Sequence, residues 1–366
     1  MKGLSLVASR GLSTSPQDML PVTIECFAGF FLPFKICYNC SGNAARLMVD
    51  LHVPFPPLCI MSIYKRNSTV KQMNRNLLSR PRLTKLIERK LYCSLKKQKS
   101  NLTSDDFNGK GYVTDFKMNL LPSYVLPKDF ECELRTDELE EKFLAPHSSS
   151  ALTVNCFAPF RRRINELVLP IKGNFHKLQF EKKCPISNQH STNLQGGLPH
   201  LDVLLSGESG VIGIETKLIE HIRDYKCAEF SDAYLELTTD DYTQKFFEEM
   251  HVLIKEKKKY TYLDATQLIK HAFGLANTYK GKKQITLLYV YWQPEDPDHP
   301  KYAHHFQKHK KEIKNFKKQV NGSKLNFHAI SYPEIWDMWS KHSRTKPWLS
   351  EHISNLKERY LIRLCD

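Results

Sequence analysis

The sequence predicts an α/β (α+β) fold: a central mixed β-sheet flanked by helices, behind a basic helical N-terminal extension. Three observations predict it. From about residue 148 the chain reads helix, three strands, helix, strand, helix, strand, an alternation that builds a sheet with helices packed against it. Hydrophobic residues make up 41% of the 366 residues, enough to offset the entropy of ordering a chain this long. No apolar run approaches the ~18 residues that a membrane-spanning helix needs.

The elements follow in order. Over 80–99, Leu83, Leu86, Ile87, Leu91 and Leu95 share one helical face, with basic residues opposite. Asp137–Phe143 reads as a short helix. Leu152 to Val168 reads as the first core helix, capped by Ser148–Ser150 and interrupted or kinked at Pro159. Three strands follow, at His176–Lys182, Pro199–Leu205 and Val211–Leu218. The last two flank Ser206-Gly207-Glu208-Ser209-Gly210, a turn by composition. Residues 219–260 read as mostly helical. Asp264 caps a helix running to about Tyr279, and Ile285–Trp292 is an apolar strand expected at the centre of the sheet. A basic helix over Tyr302–Val320, a strand over Leu325–Ser331 and a helix opened by Pro333 complete the order.

The domain boundaries expected from composition are 1–72, a poorly ordered or non-native extension; 73–147, a basic helical or mixed segment; 148–345, the core; and 346–366, a C-terminal helix. Residues 1–72 are broken by prolines, as at Val53-Pro54-Phe55-Pro56-Pro57, and show neither helical nor strand periodicity.

The formal charge is +15, from 54 Lys and Arg against 39 Asp and Glu. The excess is clustered. Lys65 to Lys99 holds twelve basic residues and one acid, and Lys301 to Lys318 seven lysines and one acid. Such clusters favour a polyanion, nucleic acid first, and both are candidates for phosphate contacts. Within the second, His305 and His309 are expected on a solvated or DNA-facing surface. Ten cysteines are too few for a disulfide scaffold. Cys132, Cys156, Cys184 and Cys227 read as lone reduced thiols in apolar surroundings, which fits a cytoplasmic protein. Cys37, Cys40, His52 and Cys59 sketch a zinc site that the greasy surroundings disfavour. Nucleotide-binding glycine loops and an HExxH motif are missing.

The sharpest feature is His200-Leu201-Asp202 followed by Gly213-Ile214-Glu215-Thr216-Lys217. A symmetric turn at 207–210 sets Asp202 directly opposite Glu215, their Cβ atoms roughly 4.5–5.5 Å apart, with Lys217 on the same face. Two carboxylates side by side repel, and burying them is costly unless a cation neutralises them. Hard oxygen donors suit Mg²⁺. A lysine beside such an ion can hold a water or steady charge on a phosphate. The bland alternative is an amphipathic hairpin with a solvated charged face; the apolar flanks argue against it.

These residues resemble the PD-(D/E)xK nuclease superfamily, with its restriction-endonuclease-like core, and within it an uncharacterised restriction endonuclease branch. The acidic residue is Asp202 and the (D/E)-x-K triplet is Glu215-Thr216-Lys217. Ser148 to Phe157, the acid Glu220 after the strand and the segment Gln267 to His271 resemble the same branch, over roughly 80–340. Leu201 stands before Asp202 where the motif has proline. The resemblance implies a Mg²⁺-dependent endonuclease (with Mn²⁺ as a substitute) acting on DNA. Asp202, Glu215 and the carbonyl of Thr216 would be metal ligands, and Lys217 would position or activate the water. Glu166, on the first core helix, and Glu181 would be supporting acids, and Gln267 would contact a water or phosphate. A homodimer and a role in restriction or defence are further expectations. The alternatives are a catalytically inactive nucleic-acid-binding protein of this fold, or a nuclease acting on RNA or branched DNA.

Overall fold

The computed structural model describes residues 77–186, 198–224, 227–281 and 284–365, and the backbone of two short strands, β1 (Leu20–Thr23) and β2 (Pro33–Ile36). By contacts the chain divides into two units, 1–75 and 76–366. In the first, β1 and β2 pair antiparallel, Leu20 opposite Ile36. The expected poor order of 1–72 and the Cys37–Cys40 site otherwise lie outside the described residues.

In the second unit, α1 (Arg80–Gln98) buries Leu83, Ile87, Leu91 and Leu95, four positions on one face at helical spacing. The expected helix over 137–143 is a single wide turn, Glu138–Lys142, in which Phe143 N–H reaches back to Glu138 C=O. Helix α2 spans Ser149–Phe157, and the Ser148 side chain accepts from Ala151 N–H at its start. It stops well short of Val168. Pro159 lacks the N–H an α-helix needs, and the chain continues as tight turns over Ala158–Arg162 and Ile164–Glu166.

The sheet holds β3 (Phe175–Lys183), β4 (His200–Gly207), β5 (Gly210–Lys217), β6 (Ile285–Tyr291) and β7 (Leu325–Ser331), side by side in that order. The first three run antiparallel; β5, β6 and β7 run parallel. The sheet is therefore mixed, as expected. The expectation of β6 at the centre is corrected: β5 is the middle strand, with β6 beside it. Every β6 residue is buried all the same, since both its neighbours and both its faces are covered.

Between β5 and β6 lie α3 (Glu220–Arg223), α4 (Asp232–Leu235), α5 (Gln244–Lys255) and α6 (Ala265–Tyr279), so the expected helical stretch is in fact broken by turns. Asp264 caps α6 by accepting from Gln267 N–H at 3.0 Å. Helix α7 (Ala303–Gln319) joins β6 to β7; α8 (Tyr332–His342) opens with a Ser331–Glu334 capping box, and α9 (Pro347–Tyr360) follows. Two buried apolar clusters form the core, one built around Leu152, Val203, Ile214 and Trp336, the other around Leu201, Val211, Leu275 and Phe316.

Helix α7 overturns one expectation. His305 and His309 are buried on the stripe shared with Phe306, Ile313 and Phe316, not on a solvated face. His305 Nδ1 lies 2.7 Å from the Tyr262 hydroxyl, and His309 stacks on His221 at 4.3 Å between ring centroids. Lys308, Lys310, Lys311, Lys314, Lys317 and Lys318 form the exposed side. Of the thiols expected in apolar surroundings, Cys156 and Cys184 are buried, whereas Cys132 and Cys227 are exposed.

Candidate active site

The β4–β5 hairpin turns on a two-residue loop, Glu208-Ser209. Its register runs as expected from Gly207 opposite Gly210 to Val203 opposite Ile214. There the ladder ends, one pair short of Asp202 and Glu215. Asp202 instead puts its carboxylate where a ladder partner would stand: Oδ2 accepts the Thr216 N–H at 2.6 Å and the Thr216 hydroxyl at 2.7 Å. Ser149, first residue of α2, aims its hydroxyl at the Thr216 carbonyl from 3.5 Å.

Glu215 and Lys217 share a face of β5, two residues apart, and the Lys217 ammonium bonds Glu215 Oε1. The other oxygen, Oε2, lies 2.8 Å from His271 Nε2; His271 and Glu215 are each only 1% exposed. Helix α6 brings His271 there by packing on the sheet over Gly213, two residues before Glu215. A Cβ at Gly213 would stand 2.7 Å from Leu275 Cδ1 and 2.9 Å from Leu201 Cδ1, so the ends of both leucine side chains would have to shift. Gln267 lies one turn before His271 on the same helix.

Asp202, Lys217, Gln267 and His271 line a cleft of about 720 Å³ together with Glu138 and Glu181, while Glu215 itself is buried. Glu181 sits across from Asp202, between the pairs Phe180–Val203 and Lys182–Leu201 of the β3–β4 ladder. Its φ of 47° is a left-handed conformation that costs a non-glycine residue of order 1 kcal/mol or more. Glu138 is held by Lys142 at 2.7 Å and by the Ser150 hydroxyl.

The electrostatics follow from this crowding. Burial, then the charge of Glu215, pushes the Asp202 carboxyl up to about 7 despite Lys217 and the Thr216 bonds. Burial, then Asp202, Glu138 and Glu215, raises Glu181 to about 8. Burial also works against ionised Glu215, but Lys217 and His271 outweigh it and hold that carboxyl down at about 2. Burial opposes the Lys217 charge as well, yet Glu215, Asp202 and Glu220 together raise its pKa. At neutral pH the cleft therefore holds a charged Glu215–Lys217 pair beside two carboxyls, Asp202 and Glu181, whose protonated forms are favoured first by burial and then by repulsion from the neighbouring acids.

Asp202, Glu215, Thr216, Lys217 and Gln267 are thus brought to one place. Glu166 is not. Because α2 ends at Phe157, Glu166 falls on a separate turn, where its Oε2 bonds Trp348 Nε1 at 3.0 Å and Lys346 Nζ at 3.1 Å; its expected place as a metal ligand is corrected. Glu220 spends its carboxylate on the Leu218 and Ile219 N–H groups. His271, Glu138 and Lys142 were not legible as site residues in the sequence. His271 had a signal, its spacing of four from Gln267 on one helix; Glu138 and Lys142 had none.

Among the described residues, no group of three or more His, Cys, Asp or Glu side chains converges enough to hold an ion by itself. The set read for Mg²⁺ differs in kind: two carboxylates and a backbone carbonyl. Mg²⁺ keeps several waters and takes one or two carboxylates, so hard oxygen donors crowded into mutual repulsion fit it.

A five-stranded mixed sheet flanked by helices, with an acid on one strand and Glu-x-Lys on the next, defines a restriction-endonuclease-like fold. The family model described as Restriction Endonuclease associating with ARP matches residues 89–361. The chain belongs to that family, and so to the nucleases. No curated protein and no solved structure matches it significantly. Among the described residues no helix is long and apolar enough to cross a membrane.

Proposed function

We propose that the protein is a Mg²⁺-dependent endonuclease that hydrolyses phosphodiester bonds in DNA. Asp202, Glu215 and the Thr216 carbonyl would hold the ion, and Mn²⁺ would substitute for it. A bound Mg²⁺ supplies Lewis-acid stabilisation of charge on the phosphate and on the attacking water. The observation that carries the reading is the meeting of Asp202, Glu215 and Lys217 at the split between β4 and β5, where Asp202 and Lys217 line one cleft and Lys217 bonds the buried Glu215.

The chain's own residues have separable tasks. Lys217 stays protonated, since three carboxylates favour its charge. It therefore donates hydrogen bonds and supplies a fixed positive charge, positioning or activating a water or orienting a phosphate oxygen. Thr216 holds Asp202 by its N–H and hydroxyl, so one carboxylate oxygen is anchored. Gln267 lines the cleft within reach of the substrate side. The exposed lysines of α7 and the basic face of α1 supply positive surface for the phosphate backbone.

Plasmid cleavage tests this. Nicking that requires Mg²⁺, stops with EDTA and vanishes in Lys217→Ala is the expected result. Wild-type cleavage by an Asp202→Ala/Glu215→Ala double variant would overturn it. Duplex DNA, branched DNA and RNA run in parallel assign the substrate.

A further inference from the structure

Resting on the reading above, we propose that His271 is the positioning residue of Glu215: it holds Oε2 and leaves Oε1, the oxygen shared with Lys217, to the divalent cation. His271 Nε2 is 2.8 Å from Oε2, an ion-pair distance without the alignment of a regular hydrogen bond, and both side chains are 1% exposed. The two partners of the carboxylate differ in kind. Lys217 reaches it from the same strand on a flexible four-carbon stem. His271 reaches it from a helix seated on the sheet over Gly213, with only two side-chain torsions to set.

This difference bears on how the site works. If Lys217 turns its ammonium to a water or a phosphate, it gives up Oε1. Glu215, removed from solvent, then needs another group to keep it charged and in place. Among the described residues His271 is the group that stands against Oε2. A ligand carboxylate whose second oxygen is held from behind keeps its orientation, and losing such a partner typically costs 10–100-fold in metal affinity (roughly, across metalloproteins).

The test is calorimetric titration of the full chain with Mn²⁺, comparing wild type with His271→Gln and His271→Met. Glutamine keeps an N–H donor at the reach of Nε2, whereas methionine keeps the volume without a donor. His271→Met is expected to bind Mn²⁺ on the order of tenfold more weakly, and His271→Gln within about threefold of wild type. Cleavage by His271→Met should recover at saturating Mn²⁺, because a positioning residue acts through affinity. Equal affinity of His271→Met and wild type would overturn the inference, as would equal losses in both variants, which mark mere packing. If near-ultraviolet circular dichroism shows His271→Met unfolded, His271→Asn takes its place. Its amide is too short to reach Oε2, so weak binding is again expected and wild-type affinity overturns the inference. Wild-type protein that binds no Mn²⁺ would sink the metal reading itself, a result distinct from binding that ignores position 271.

Discussion

Asp202 Oδ2 accepts the backbone N–H of Thr216 at 2.6 Å, in the place that Leu201 would occupy as strand partner had the β4–β5 ladder gone two pairs further. The strands part there, and the parting makes room for a cleft at the acidic end of the hairpin. An orphaned N–H in a buried sheet is costly, and Asp202 satisfies it while presenting a carboxyl to the cleft.

The Asp202 carboxyl, raised to about 7 by burial and Glu215, predicts a pH dependence. A folded-state value above the unfolded one contributes stability that is complete below about 4 and lost as pH rises through 7. Asp202→Asn, which can still accept from Thr216, removes that loss. In EDTA the variant should match wild type at pH 4 and exceed it at pH 8, by on the order of 2–4 kcal/mol. Urea denaturation at the two pH values measures it, and a gap independent of pH would count against the assignment.

Lys217 serves both stability and chemistry, and the two can be separated. Lys217→Met leaves Glu215 buried without its ammonium, at a cost of about 3–5 kcal/mol. Adding Glu215→Gln removes the stranded charge, so the double variant should recover most of the stability and none of the cleavage. Thermal unfolding and plasmid nicking on the same preparations read both effects.

Acid should unfold the protein through buried histidines. Burial drives His221 down to about 3 and His309 well below its ordinary value. A depressed folded-state value means stability that is complete above about 6.5 and lost as pH falls, by about 2–3 kcal/mol for His221 at pH 4.5. His221→Phe keeps a ring against His309, and among the described residues neither nitrogen of His221 has a hydrogen-bond partner to lose. The acid midpoint of this variant, followed by circular dichroism, should move to lower pH.

The exposed side of α7 predicts a salt effect. If Lys310, Lys314 and Lys317 meet phosphates, replacing all three by Gln should weaken DNA binding alike for every sequence. The slope of log affinity against log salt should become shallower by about one for each phosphate left without its lysine. Fluorescence anisotropy at several salt concentrations measures it; an unchanged slope would move the phosphate path to another surface, such as α1.

How much of this was legible in the chain depended on the range of the forces involved. The hairpin register, the Asp264 cap, the Ser148 cap and the buried faces of α1 and α6 follow from local chemistry: turn residues, side-chain acceptors near free N–H groups, apolar spacing. So did the grouping of Asp202, Glu215 and Lys217, because a two-residue turn leaves antiparallel strands one register. Even the burial of His305 and His309 was written in their place on the apolar stripe of α7, where a charge-rich composition hid it.

Other features had no local signature. Glu166 left the cleft because one proline ended α2, and a proline in a helical pattern does not say whether the chain bends or stops. His271 meets Glu215 because α6 packs on β5 over Gly213, bringing together residues that are distant in sequence. Glu138 and Glu181 join the acids through long-range packing. By itself the sequence determined most of the elements, the strand register and the residues able to do the chemistry, since those rest on neighbours a few residues apart. Only the tertiary structure decided which acids share a desolvated cleft and which partner holds each, because burial and Coulomb coupling depend on distance in space and not along the chain.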